Sequence, residues 1–293
     1  MKPASSFTCL FAGALLVSPC TASAELAVHD LFSDHAVLQR ELPVPVWGTA
    51  EPGAEVTISF AGQTRKASAG DDGGWRVVLD PLTASAEPAA LEVTAGDEKL
   101  IVNDILVGEV WVCSGQSNMA MNVSRTLDME KTRAAAEAGK FAEVRLFKAP
   151  VRGEDERQDR VDGKWTLSDT TSVPGFSAAG FFFGAALNRD LKVPVGLIQS
   201  ANGGTNAYSW INSDTYRDDP VAEPTRTYFE GLVAAYPAAK ERYDRARAAW
   251  AEKVKAAKAE GKTVGGRAPR EPIGPNHVKR PSGHYNAMVA PLQ

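Results

Sequence analysis

The stretch from residue 105 to residue 118 reads ILVGEVWVCSGQSN, and it decides the fold. Its first nine residues, 105–113, are nearly all apolar and are interrupted only by Gly108 and Glu109. Such a run is typical of a strand that is buried on both faces of a parallel sheet. A turn of small and polar residues follows. We therefore expect a buried strand that places Ser117 at the carboxyl edge of a sheet, where open α/β sheets bind their ligands.

The chain beyond Ser117 alternates between helix and strand signals. Helices are predicted at 128–138 and 176–191, and strands at 144–149 and 193–199. Together with the first strand, this order implies right-handed crossovers between parallel strands. The predicted fold class is therefore α/β, a parallel sheet with flanking helices.

Residues 25–104 show a different pattern, in which short strands are separated by turns. Residues 56–60 and 75–79 alternate between the two faces, with the period of a half-buried strand. Further strand signals lie at 44–48, 90–94 and 100–102. We expect a small antiparallel β-sandwich domain here, ahead of an α/β domain that spans 105–293.

A helical insertion is predicted in the α/β domain at about 212–283. Residues 238–260 are rich in alanine and charge, and Pro237 suits the first turn of a helix there. Three aromatic residues recur every seven positions along it: Tyr236, Tyr243 and Trp250. We expect this aromatic face to pack on the domain rather than on a partner. The segment 263–283, rich in Pro, Gly, Lys and Arg, is expected to be a mobile loop with solvated basic residues.

The first 24 residues have the pattern of a secretory signal peptide. Lys2 supplies the positive start, residues 10–17 are mostly apolar, and Ala22-Ser23-Ala24 suits cleavage. The apolar run is far shorter than the roughly 20 residues that a membrane span needs. We therefore expect a secreted or periplasmic protein that starts near Glu25, with no transmembrane segment in the mature chain.

Charge and cysteine content exclude some classes of function. The formal net charge is −4 at pH 7, which gives no indication of a nucleic-acid partner. Cys113 is the one cysteine outside the predicted signal peptide, so the mature chain can form no intramolecular disulfide. Cys113 lies in the apolar run and is interpreted as a small buried hydrophobic residue.

Two unusual turns follow predicted strands at the same edge of the sheet. One carries Ser117, and the other contains Gly203 and Gly204, just beyond the strand at 193–199. A serine on a tight turn can expose its hydroxyl while nearby backbone amides point to where an oxyanion would form. A glycine allows close approach of such an amide. The alternative is that these glycines merely make turns.

The sequence also resembles a known family at three places. Residues 108–119, GEVWVCSGQSNM, resemble the first block of the sialate O-acetylesterase family, a branch of the SGNH hydrolases. Residues 193–198, VPVGLI, followed by Gly203-Gly204-Thr205 and Trp210, resemble its second block. Residues 285–292, YNAMVAPL, resemble a third. The leading region also resembles the family's N-terminal domain, so the likeness covers nearly all of the mature chain.

The resemblance implies a serine esterase with an SGNH-hydrolase-like sheet. Such an enzyme removes O-acetyl groups from sialic acids or related acetylated sugars, and it needs no metal or other cofactor. Ser117 would be the nucleophile and would lend its own amide to the oxyanion hole, with Gly203 or Gly204 lending another. Asn202 departs from the family, which often has a larger residue before the glycine pair.

The rest of a serine hydrolase site is missing from this sequence. The family pattern continues with a block ending in Gln-Gly-Glu and with an Asp-x-x-His pair, and the chain contains neither. A serine hydroxyl is a poor nucleophile without a base. The chain has four histidines, and none of them has an Asp-x-x-His context: His29, His35, His277 and His284. Only His284 lies beside a family-like stretch.

We therefore expect a C-terminally incomplete member of the family, nearly inactive by itself. The missing strands would leave an unpaired sheet edge and exposed apolar surface. Two other hypotheses stay open. One is a secreted carbohydrate-binding protein that kept the fold and lost catalysis. The other is a lipase-like esterase for longer acyl chains, although the sequence has no long apolar lid. The sequence does not indicate an oligomeric state.

Overall fold

The computed structural model describes residues 25–293, so the predicted signal peptide at 1–24 lies outside the described residues. The strands are β1 (Ala27–Val28), β2 (Val37–Gln39), β3 (Val44–Thr49), β4 (Glu55–Phe60), β5 (Gln63–Ser68), β6 (Gly74–Leu79), β7 (Ser85–Ala95), β8 (Glu98–Gly115), β9 (Val144–Lys148), β10 (Trp165–Leu167) and β11 (Val195–Ala201). The helices are α1 (Ser117–Ala120), α2 (Met129–Glu137), α3 (Ala178–Leu191), α4 (Ser213–Asp218) and α5 (Glu223–Ala259).

β8 is the central strand, and it is longer than the sequence predicted. It joins the predicted strands at 100–102 and 105–113 into one, and Asp104 between them has a positive φ of 54°. Its first part pairs antiparallel with β7, and its last part, from Glu109 to Gly115, pairs parallel with β11. The predicted domain boundary at 104/105 therefore lies inside a single strand.

The larger sheet is mixed rather than parallel, and its order is β10-β9-β11-β8-β7-β4-β5. β9, β11 and β8 run parallel, as the alternation of strands and helices predicted. β10 pairs antiparallel with β9, and the first part of β8 extends the sheet into antiparallel strands. The prediction of an α/β fold is confirmed, and the prediction of a purely parallel sheet is wrong because β8 serves both regions.

The strands before β8 lie in two sheets that share one core. β1, β3 and β6 form a three-stranded antiparallel sheet, separate from the larger one. Buried side chains from both sheets belong to the same apolar cluster, for example Val46 and Val77 from the smaller sheet and Ile58 and Val93 from the larger. The same cluster also contains Phe147 of β9, Trp165 of β10 and Ile198 of β11, so this core is continuous with the α/β region.

Helix α3 packs on the parallel strands and forms a second apolar cluster with them. Phe181 of α3 is buried with Leu146 of β9 and Leu197 of β11. Cys113 belongs to this cluster and is 4% exposed, as expected for a small buried hydrophobic residue. Its burial raises the pKa of the thiol to about 11, so the group stays protonated and unreactive at neutral pH.

Helix α5 begins earlier than predicted. Pro224 occupies its first turn, and Pro237, which the sequence analysis placed in a first turn, lies inside the helix. Its aromatic face packs against the following loop of the same chain. A Cβ on Gly274 would lie 2.4 Å from the ring of Tyr236, and one on Gly266 would lie 3.7 Å from the ring of Trp250. No helix within residues 25–293 is both long and apolar enough to cross a membrane.

One edge of the parallel strands is unpaired. On the side opposite β11, no described strand pairs with residues 109–115 of β8. Trp111 is 43% exposed and Val112 is 56% exposed, so the prediction of burial on both faces is wrong for the end of this strand. The expected unpaired edge and its exposed apolar side chains are both present.

Candidate active site

β8 places Ser117 at the carboxyl edge of the sheet. The strand ends at Gly115, whose φ of +143° is one that side-chain-bearing residues rarely adopt. Ser117 follows as the first residue of α1 and is exposed to solvent. The turn therefore presents the hydroxyl at the position that the sequence pattern predicted.

The glycine turn after β11 lies directly beside this serine. Parallel pairing sets Ala201 opposite Gly115, and the Asn202 amide donates to the Gly115 carbonyl at 3.1 Å. The Gly204 amide donates to Ser117 Oγ at 3.2 Å. A Cβ on Gly203 would lie 3.7 Å from the same Oγ. The structure therefore brings together the three predicted site residues, which are up to 87 positions apart in sequence.

The amide of Ser117 is already hydrogen-bonded. It donates to Oε1 of Gln116 at 2.7 Å, so the side chain of the preceding residue caps the N-terminus of α1. No pattern in the sequence indicates this contact. Gln116 is exposed, so its side chain has room to rotate away. The Ser117 amide can join an oxyanion hole only when it does so.

The loop after α5 returns to this site. Lys279 Nζ donates to the Gly204 carbonyl at 2.8 Å. Its neighbour Arg280 is 7% exposed and forms an ion pair with Asp155 at 2.6 Å. The prediction that the basic residues of 263–283 are solvated is wrong for Arg280, which is buried and paired, while Lys279 is half-buried and contacts the glycine turn.

His284 contacts Asn202, the residue that precedes the glycine turn. It is fully buried, and its Nε2 lies 2.8 Å from Nδ2 of Asn202. Its ring stacks on Trp210 with the centroids 4.7 Å apart. Burial lowers the pKa of His284 to about 4, and the nearby positive charge of Lys279 adds to this effect. A neutral imidazole of such weak basicity is a poor general base at neutral pH.

The other histidines are engaged elsewhere. His35 pairs with Asp104 at 2.6 Å, and the hydrogen bond from Arg145 to the same carboxylate is the main reason that the pKa of Asp104 is lowered. His29 accepts from the Leu31 amide. His277 accepts from the Lys279 amide. No histidine within residues 25–293 hydrogen-bonds to Ser117, and no described group of three or more His, Cys, Asp or Glu residues could hold a metal ion.

Comparison with known proteins identifies the family. The sequence model described as "Carbohydrate esterase, sialic acid-specific acetylesterase" matches residues 107–248, which include Ser117 and the glycine turn. The chain is 32% identical to mouse sialate O-acetylesterase over 217 residues and 34% identical to the human protein over 194 residues. The chain belongs to the sialate O-acetylesterase family.

A solved structure of a related esterase agrees with this assignment. A carbohydrate acetylesterase from Xanthomonas citri is 33% identical to the chain and superimposes with a TM-score of 0.61. The match covers 66% of this chain and 44% of that protein. The matches to the mouse and human esterases cover 65% and 59% of this chain but only 40% and 36% of those proteins. This sialate O-acetylesterase family member therefore spans less than half the length of the relatives that it matches.

Proposed function

We propose that this chain carries the nucleophile and one oxyanion donor of a serine esterase that removes O-acetyl groups from sialic acid or related acetylated sugars. The observation that carries the proposal is the hydrogen bond from the Gly204 amide to Ser117 Oγ. It places a serine hydroxyl and a backbone N–H at one exposed sheet edge, in a family of acetylesterases. Assignment of Ser117 as the nucleophile rests on this geometry and on the family motif.

The chemistry follows from the same geometry. Ser117 Oγ attacks the acetyl carbonyl, its proton passes to a base, and negative charge develops on the carbonyl oxygen. The Gly204 amide is close enough to turn from Oγ to that oxygen, and the Ser117 amide joins it once Gln116 Oε1 has moved away. The intermediate then collapses: the bond to the sugar oxygen breaks, the protonated base returns its proton to that oxygen, and the acetyl group stays on Ser117. Water, deprotonated by the same base, attacks this acetyl ester and releases acetate, and the proton returns to Ser117 Oγ.

The described chain lacks a base for the first step, so we propose that it is nearly inactive by itself. His284 is held by Asn202 and is neutral, and no other described histidine reaches the serine. Loss of triad members in serine hydrolases typically costs on the order of 10⁴ to 10⁶ in rate. An oxyanion donor and substrate binding alone retain only a small acceleration over water.

Hydrolysis of 4-nitrophenyl acetate tests both parts of the proposal. The purified chain should release nitrophenol slowly. Because imidazole attacks this ester by itself, the rate with imidazole alone is subtracted. The remaining protein-dependent increment should be positive, since imidazole acts as the missing base. Ser117→Ala should abolish the imidazole-supported increment, and Ser114→Ala, which changes an exposed serine three residues earlier, should leave it intact. Fast turnover without imidazole that Ser117→Ala removes would refute the proposed inactivity. An increment that survives in Ser117→Ala would refute the nucleophile.

No histidine among the described residues hydrogen-bonds to Ser117 Oγ. This also favours a second candidate, a non-catalytic carbohydrate-binding protein of the same fold. This candidate predicts saturable binding of an O-acetylated sugar by ligand-detected NMR, with no Ser117-dependent turnover even with imidazole present. The esterase proposal predicts binding together with the imidazole-supported increment. The same two measurements therefore separate the candidates.

We further propose secretion or export to the periplasm, with residues 1–24 removed, and a division into a β-sandwich at 25–104 and an SGNH-type esterase region at 105–293. The apolar stretch and cleavage pattern before Glu25 support the first point. The separate three-stranded sheet of β1, β3 and β6 supports the second, although β8 and part of the apolar core are common to both regions. Mass spectrometry of the protein isolated from its host should give an N-terminus near Glu25, and an intact Met1 would refute the export signal.

A further inference from the structure

We infer that Lys279 is a positioning residue of the candidate site, which fixes the Gly203–Gly204 turn so that the Gly204 amide points toward Ser117 and the developing oxyanion. The inference rests on the proposed function. It adds a role for a side chain from the loop after α5, outside the segment that matches the family model.

The contact that carries this inference joins two segments 75 residues apart. Lys279 Nζ donates to the Gly204 carbonyl at 2.8 Å, and the amide of the same glycine donates to Ser117 Oγ at 3.2 Å. Gly204 has a φ of +68° and no side chain, so little else restricts its backbone. A Cβ built on it would lie 3.2 Å from the same Nζ. The ammonium group therefore lies against the residue whose orientation the oxyanion hole requires.

The backbone around Lys279 is held firmly enough for its side chain to act as a restraint. The Lys279 amide donates to Nδ1 of His277, and the Arg280 amide donates to the His277 carbonyl at 3.0 Å. The Ser282 amide donates to the Tyr208 carbonyl at 2.9 Å, which ties the loop to the segment after the glycine turn. The ion pair between Arg280 and Asp155 anchors the loop on a third segment.

The charge of Lys279 is also uncompensated. Arg280 pairs with Asp155, and Arg157 pairs with Asp214. By contrast, within residues 25–293 no carboxylate lies within ion-pair distance of Lys279 Nζ, and the Gly204 carbonyl is its one described acceptor. An unpaired positive charge that contacts Gly204, whose amide in turn contacts Ser117, favours the negative charge of the transition state. Lys279 therefore acts on the site through both the turn and its electrostatic potential.

Lys279→Met and Lys279→Arg test the inference, with Lys262→Met as the matched control. Lys262 lies on the exposed end of the same loop and pairs with Glu260, away from the site. Removal of a direct oxyanion donor costs on the order of 10² to 10³ in kcat, so loss of a residue that holds the donor should cost about tenfold. We expect Lys279→Met to lower kcat of the imidazole-supported, Ser117-dependent reaction by that amount with KM unchanged. Arginine should restore most of it.

A second measurement keeps the inference testable without activity. Solvent exchange of the Gly204 amide, followed by NMR, should be several times faster in Lys279→Met than in the unchanged chain, Lys279→Arg or Lys262→Met. If the unchanged chain shows no Ser117-dependent turnover, the proposed function fails and the exchange rate alone decides the role of Lys279. An exchange rate equal to that of the unchanged chain would overturn the inference. An equal kcat in a chain with Ser117-dependent turnover would overturn it as well.

Discussion

We expect the protein to lose stability as the pH is lowered from about 6.5 to about 4, because His284 takes up a proton in this range when the chain unfolds. In the folded chain its ring is fully buried against Trp210, and its pKa is lowered from 6.5 to about 4. In the unfolded chain His284 is protonated below its ordinary pKa of 6.5, whereas in the folded chain it stays neutral down to about pH 4. The contribution of neutral His284 to the free energy of unfolding is therefore complete above pH 6.5 and is lost as the pH falls from 6.5 toward 4.

The size of this effect follows from the shift in pKa. Each unit of difference corresponds to about 1.4 kcal/mol, so a drop of roughly two and a half units gives a loss of about 3 kcal/mol across the window. That is a large share of the roughly 5–15 kcal/mol by which most domains are stable. Acid should therefore loosen the region that holds the glycine turn at pH values where many carboxylates are still ionised.

His284→Phe isolates this contribution. Phenylalanine keeps an aromatic ring against Trp210 but cannot be protonated, and it leaves the Asn202 amide without its partner. We expect the variant to be less stable than the unchanged chain near pH 7, by about 1–3 kcal/mol for the unpaired polar group. The gap should close or reverse toward pH 4, because the variant escapes the proton-linked loss.

Urea unfolding followed by tryptophan fluorescence at several pH values measures the gap directly. His277→Asn serves as a comparison, since burial also lowers the pKa of His277 but that ring is only partly buried. Its removal should change the pH dependence in the same direction and by less than His284→Phe does. A difference between His284→Phe and the unchanged chain that stays constant from about pH 7 to about pH 4 would refute the linkage reasoning.

Two further predictions concern the glycine turn and the free edge of β8. Gly204→Ala should lower the Ser117-dependent rate and cost about 1–2 kcal/mol of stability, because φ at this residue is +68° and the new Cβ would lie 3.2 Å from Lys279 Nζ; equal rates and equal urea midpoints would contradict this. The unchanged chain should self-associate in sedimentation velocity at micromolar or higher concentration, and Val112→Lys on the unpaired edge should weaken this association. Val78→Lys, at a similarly exposed valine in β6, should not weaken it, and identical behaviour of the two variants would exclude the edge as the cause.

The strand and the two turns of the site were predictable because the residues that form each of them are consecutive in sequence. The apolar run before Ser117 gave the strand, and the small residues after it gave the turn. The same holds for Gly203 and Gly204 after β11. Parallel pairing between β8 and β11 then brings the two turns together, as the order of strands and helices indicated.

The parts that could not be predicted depend on contacts between distant segments. Asn103 and Asp104 separate two apolar runs as a turn would, yet β8 passes through them with one residue at positive φ because strands flank it on both sides. Pro237 has the pattern of a helix start, but α5 had already begun near Pro224. Lys279 lies in a stretch typical of solvated loops, and nothing nearby in sequence reveals that it reaches the Gly204 carbonyl.

The continuity of β8 has a consequence for how the molecule can be divided. The same strand hydrogen-bonds to β7 in one region and to β11 in the other, so separation of the regions at residue 104 would cut an interior strand and expose the broken ends of both sheets. Expression of 105–293 alone should therefore give an insoluble product, while the uncut chain unfolds in one cooperative step. An insertion at residue 104 should likewise be poorly tolerated, because it would interrupt a strand that both regions share.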